Sequence, residues 1–258
     1  MVLLPKEHGA YGQLALPLLT ACGATGPSTA GLLLIASAVG AFIAHEPVLV
    51  LLGLRGARAR RELGAAAIRW LVVSAGVSAL AGALAIATIA PGARWSLIVP
   101  LIPALVLAAA TAQGREKSWY GEVSAALAFA GLAVPVAMAS GGSLRTAATI
   151  AVPFALLFIA STLAVRTVIL RVRGGGDAGT MTATRWGAFA VASVGAGVLA
   201  SLTAGEVLPP SALAAAAPGL VTAFVIAARP PHPNRLRTIG WTLVALSVLT
   251  GLIVVVTV

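Results

Sequence analysis

From Thr29 to Ala44 the chain runs for sixteen residues without a charge, and similar apolar runs recur to the C-terminus. A helix crossing the hydrocarbon core of a bilayer needs about 20 consecutive, mostly apolar residues. Nine segments are candidates, at about 9–25, 28–52, 65–90, 95–113, 119–140, 146–170, 185–204, 208–228 and 237–257. The first is short and reads as half-buried or tilted. Pro17, Pro100, Pro103, Pro135 and Pro153 fall inside these segments and predict kinks, since each removes an N–H from the helical ladder. The expected fold is all-α: a polytopic transmembrane bundle of about nine spans. No polar linker interrupts it, so residues 1–258 read as one domain.

Composition closes off the soluble alternatives. Only 9% of the 258 residues are charged and 59% are hydrophobic, whereas a soluble domain carries about 25% charged residues. The net charge of +10 would suggest nucleic acid in a soluble protein, but here its placement speaks for orientation. Thirteen of the 17 lysines and arginines fall in segments that nine spans put on one side. Arg94 and Arg145 fall on the other, and Arg69 and Arg166 lie inside spans. Basic residues in short loops mark the cytoplasmic side, which predicts an integral membrane protein with N-terminus inside and C-terminus outside. The single cysteine, Cys22, excludes an internal disulfide and a cysteine-built zinc centre. The acid and histidine ahead of the first run do not fit a cleaved signal peptide.

Ionisable residues at membrane depth are expensive and mark function by default. Lys6-Glu7-His8 abuts the first span. Glu7 reads either as an interfacial residue favoured near a helix N-terminus or, with His8, as part of a binding site. His45-Glu46-Pro47 falls late in the second span, roughly 10–15 Å inside Arg55 at 1.5 Å per residue, and is the stronger signal. Arg115, Glu116 and Lys117 read as loop residues, while Glu122 starts the fifth span after the interfacial pair Trp119-Tyr120. Arg166 lies about one and a half turns inside Arg171, and it shares a helix face with Arg173 that would suit a phosphate or carboxylate. Arg69 reads as a snorkelling side chain. The glycine-rich "RGGGDAGT" at 173–180 lacks a P-loop ending and reads as a flexible connection. His8, His45, Glu46, Glu122 and Arg166 all fall toward one membrane boundary, which predicts a polar pocket open to the cytoplasmic side.

The segments "PKEHGAYGQLALPLL", "AHEPVLVLLGLRGARARRE" and "REKSWYGEVSAALAFAGLAVP" resemble the YwiC-like family of bacterial membrane proteins. "STLAVRTVILRVRG" and "HPNRLRTIGWTLV" extend the likeness over most of the chain. A more distant likeness is to the UbiA superfamily of intramembrane prenyltransferases. It implies a nine-span scaffold with a cytoplasm-facing cavity. That family carries Asp-rich motifs after spans two and six to hold Mg²⁺ and a prenyl diphosphate. This chain has a single aspartate, Asp177, so the scaffold is expected without the Mg²⁺ chemistry.

The expected function is to bind or modify an amphipathic, anionic lipid or isoprenoid-like molecule. Arg166, Arg171 and Lys117 would hold its head group beside Glu7 and His8, and His45, Glu46 and Glu122 are the candidate acids and bases. No metal ligand set is read and no cofactor is named. Two alternatives stand: a transporter or channel, and a metal- or haem-binding protein using His8 and His45. The bilayer is the expected partner. Oligomeric state is not legible in the sequence.

Overall fold

The computed structural model describes residues 3–5, 7–173 and 178–258, and within them not the side chains of His8, Arg171, Val172, Arg173, Ala178 and Pro233. The described residues form helices α1 (His8–Thr25), α2 (Thr29–Leu51), α3 (Ala57–Thr88), α4 (Ile98–Ala112), α5 (Trp119–Gly131), α6 (Ala133–Ala139), α7 (Leu144–Arg173), α8 (Ala178–Ala204), α9 (Pro210–Ala228) and α10 (Leu236–Thr257), and no strand. A 3-10 turn over Pro91–Leu97 leads into α4 as one rod, and α5 with α6 makes another. Both breaks have a proline cause. Pro100 leaves the carbonyl of Ser96 without its helical donor, and Pro135 does the same to Gly131. Pro17, Pro47, Pro103 and Pro153 lie within unbroken helices.

Among the described residues nine rods therefore stand where nine spans were expected, and eight are long and apolar enough to cross a membrane. The exception is α1. Its 18 residues, about 27 Å of helix, are diluted by Gly9, Gly12, Gln13 and Gly23. It nevertheless packs against α10, α6, α5 and α7 inside the bundle. Two other boundaries differ from the sequence reading. α3 begins at Ala57 rather than 65, because Arg and Ala are strong helix formers and carry the helix past the apolar run. α8 begins at Ala178 rather than 185, and residues 174–177 of the expected glycine connection lie outside the described residues.

The hub is α7, which packs on α9, α8, α5, α6, α10 and α1. Its Ile150, Phe154, Leu157 and Phe158 are buried. α3 is the opposite case, a peripheral helix whose packing is almost entirely against α2. Small residues bring that pair together: Ala67, Ser74, Ala81 and Ala85 are the buried face of α3. Ser37 and Ser78 cross-bond, each hydroxyl donating to the other's carbonyl at 2.9 and 2.8 Å. Close approach through small residues and interhelical hydrogen bonds is how helices associate in lipid. The outward residues of α3 and α4, among them Val72, Leu80, Ile102 and Leu105, are exposed and apolar.

Candidate functional site

The end of the bundle holding the start of α1, the connections after α2, α4 and α9 and the C-terminal part of α7 gathers the described ionisable residues. Before α1, the Tyr11 hydroxyl donates to the Pro5 carbonyl at 2.9 Å, tying the N-terminal segment back on its helix. The Tyr11 ring stands edge-on to Phe42 of α2 at 4.9 Å, and Phe42 in turn meets Phe129 of α5 at 5.8 Å. Glu7 does not cap α1 with its side chain. Its Oε1 instead lies 3.5 Å from Lys117 Nζ, so the acid at the helix start links α1 to the α4–α5 connection.

After α2 the chain reverses through Gly53 and Gly56, whose φ of 78° and 93° suit glycine alone at low cost. That turn folds Arg55 back against the helix it has just left. Arg55 Nε donates to Glu46 Oε1 at 3.0 Å and Nη2 to Oε2 at 2.6 Å, a two-pronged pair of the strong kind. The bond to Glu46 raises the Arg55 pKa beyond its already high value, so this guanidinium stays charged. Glu46 is 2% exposed. The linear estimate that set Glu46 10–15 Å inside Arg55 is overturned by the glycine turn. Both oxygens of this candidate catalytic acid are occupied, and its visible role is to anchor Arg55.

The α4–α5 connection is shaped by Gly114 (φ 67°) and by Ser118, whose Oγ accepts the Gly121 N–H at 3.2 Å and caps α5. Gly121 is required here, since a Cβ would collide with the Glu116 carbonyl oxygen and come within 3.1 Å of that of Arg115. The loop is thereby pressed against the first turn of α5. It presents Glu116 to His45, with Oε2 and Nε2 3.5 Å apart, an ion pair whenever the imidazole is protonated. Arg166 on α7 reaches across, and Nη1 donates to Glu122 Oε2 at 2.8 Å and to the Lys117 carbonyl at 2.8 Å. The carboxylate expected on this arginine face is thus supplied by the chain itself. Gly121→Ala should shift Glu116 and Lys117 while leaving the helices in place. We expect a melting temperature lowered by only a few degrees with helix content unchanged, measured by circular dichroism on the same purified sample.

These groups line one cavity of about 1020 Å³ between α1, α2, α4, α5, α7 and α10. Glu7, His45, Glu46, Lys117, Glu122 and Arg166 are all on its wall, together with Arg55 and Glu116. Of the eight site residues expected from sequence, the structure brings these six together. The side chains of the other two, His8 and Arg171, lie outside the described residues. Arg69 is on the exposed face of α3, away from the cavity. Beyond the charged end the lining turns apolar, reaching Leu16, Pro100, Leu132 and Phe158, with Gln13, Ser161 and Ser247 as polar interruptions. From Glu122 to Leu132 is ten helical residues, about 15 Å. α2 and α4 both line the cavity. Among the described residues no group of three or more His, Cys, Asp or Glu side chains is arranged to hold a metal ion.

A family model described as YwiC-like protein matches residues 4–138, more than half of the chain. The chain belongs to the YwiC-like family. The matched part runs from before α1 to the end of α6 and includes every described ionisable group on the cavity wall except Arg166. No curated protein and no solved structure matches the chain. Within this YwiC-like protein, Arg55, Glu116 and Gln13 are among the wall residues that the sequence reading did not assign to the site, Glu116 having been read as a loop residue. Gln13 had a readable signal, being an amide one helical turn from Gly9 in an otherwise apolar segment. Arg55 and Glu116 had none, because loop charges beside a membrane are ordinary and only the turns at Gly53 and Gly121 direct these two inward.

Proposed function

We propose that this YwiC-like protein binds an amphipathic lipid or isoprenoid-like molecule in the cavity, with the head group at the charged end and the chain along the apolar wall. The observation that carries this reading is the polarity gradient along one cavity. Four carboxylates and their partners sit at one end, and an apolar lining extends about 15 Å beyond them. Ligand sites are typically concave, mostly apolar, and fitted with a few placed polar groups. The basic end would face the cytoplasm, as the distribution of lysine and arginine favours. A UbiA-like scaffold would likewise place a cavity within a nine-rod bundle. Chemistry, if the protein performs any, would fall to His45 with Glu116 or to Glu122. All of these groups border the cavity, but both oxygens of Glu46 are held by Arg55, whereas Arg166 holds only one oxygen of Glu122.

The test is mass spectrometry of small molecules that co-purify with the full chain, compared with Ala125→Trp. Ala125 lines the cavity between Glu122 and Phe129, so the indole would occupy the space of a chain. We expect a lipid-like species to accompany the native chain and to be reduced at least tenfold in the variant, with both proteins folded. Equal recovery of the same species from both would overturn the reading.

A further inference from the structure

We infer that a groove between α8 and α9, at the charged end of the bundle, is a binding site for an anionic phospholipid, with the phosphate on Arg185 and an acyl chain along an aromatic wall. The groove encloses about 540 Å³ and shares no lining residue with the central cavity. Met181, Arg185, Trp186 and Phe189 of α8 line it together with Phe224 of α9.

Arg185 is held in place by neutral groups. Its Nε donates to the Ala227 carbonyl at 2.9 Å and its Nη2 to the Ala228 carbonyl at 3.0 Å. Those carbonyls end α9 and have no donor within their own helix. The guanidinium carbon lies 5.7 Å from the centroid of the Phe189 ring, within cation–π range. The cation is therefore positioned before any ligand arrives, yet the residue stays exposed. Neither carbonyls nor a ring cancel its full charge, and a guanidinium has further N–H groups to give. The central cavity differs, since each described cation there has a glutamate beside it. Among the described residues no carboxylate stands within ion-pair distance of Arg185.

The wall beside this cation suits a lipid chain. Met181, Trp186 and Phe224 are exposed, on helices long and apolar enough to cross the bilayer. The Trp186 and Phe189 rings lie 5.7 Å apart and those of Phe189 and Phe224 4.9 Å apart, so an aromatic strip starts next to the charge. Tryptophan favours the membrane interface. Arg229, Arg235 and Arg237 follow α9 in the chain, and basic residues at that level add to the attraction for an anionic leaflet. A free phosphate would leave the aromatic strip uncovered. A zwitterionic lipid would bring a second cation into basic surroundings.

The experiment offers the purified full-length protein phosphatidylglycerol, phosphatidylcholine with the same acyl chains, or inorganic phosphate, and reads bound mass by native mass spectrometry. A single phosphatidylglycerol per chain should be retained about fivefold more than phosphatidylcholine, the scale of one cation's attraction for an anionic lipid. Inorganic phosphate should not be retained. Arg185→Gln should abolish the preference. Because that variant also uncaps α9, Ser193→Trp tests the groove separately. Ser193 is an exposed residue of its lining, and the indole should reduce retention of both lipids several-fold without lowering the thermal midpoint. Arg69→Gln, on the exposed face of α3, and Asp177→Asn should leave the preference unchanged. Equal retention of the two lipids would overturn the inference, as would a preference that persists in Arg185→Gln or undiminished retention in Ser193→Trp. An equal loss in Arg69→Gln would overturn it by showing a diffuse attraction of the whole charged end. Stronger retention in Asp177→Asn would overturn it by showing that the chain itself supplies the counter-charge.

Discussion

Glu46→Ala should cost about 3–5 kcal/mol of stability, the usual penalty for removing one partner of a buried ion pair. Glu46 is 2% exposed and Arg55 19%, so the abandoned guanidinium would be left largely out of water with two donors unpaired. Arg55 cannot escape by losing its proton. The loss should appear as reduced folded yield and a lower thermal midpoint in detergent. Arg55→Lys should be intermediate, because an ammonium cannot reproduce the two parallel bonds. The double variant Glu46→Leu with Arg55→Leu should recover most of the loss, since replacing a whole buried pair by apolar residues is often close to neutral. That recovery is the decisive measurement, because it separates the pair from the mere presence of polar residues at these positions. A cost below about 1 kcal/mol for Glu46→Ala would mean that water reaches the pair as it reaches surface pairs.

Gly40→Leu should separate α3 from α2. A Cβ at position 40 would stand 2.8 Å from the Ser74 carbonyl oxygen and 2.9 Å from the Ser78 nitrogen. Those are backbone atoms, which cannot rotate aside. Overfilling a packed contact typically costs about 1–3 kcal/mol and occasionally more. The larger figure is expected here because the Ser37–Ser78 bonds are lost with the contact. α3 has almost no other packing to hold it, so the outcome should be separation rather than strain shared across the bundle. Cysteines at Ser37 and Ser78 report this directly. In a Cys22→Ser background, oxidation should join them in the parent and fail to do so with Gly40→Leu. Efficient joining in both would show that the helices accommodate the added side chain.

The helical rods were legible because bilayer thickness imposes a length on every span, and apolar length is a local property of the sequence. The charge asymmetry was legible for the same reason. Helix ends were read less well. Ala57 begins α3 eight residues ahead of the apolar run because helix propensity does not stop at the membrane boundary. The site was half legible. Glu7, His45, Glu122 and Arg166 stood out as charges against apolar runs, and they line the cavity together. Arg55 and Glu116 looked like any loop charges.

What the sequence determined by itself was the number of rods and which end of them carries charge. Only the tertiary structure decided which charges meet. Partner choice depends on turns: Gly53 and Gly56 return Arg55 to Glu46, and Gly121 seats the loop that brings Glu116 to His45 and Lys117 to Glu7. These contacts join residues from different rods or reverse the chain locally, so hydropathy, which averages along a segment, carries no trace of them. The difference changed the chemistry read at the site. Taken along the chain, the lysine and arginines suggest a place for an anion; folded, each described cation on the wall has a glutamate beside it.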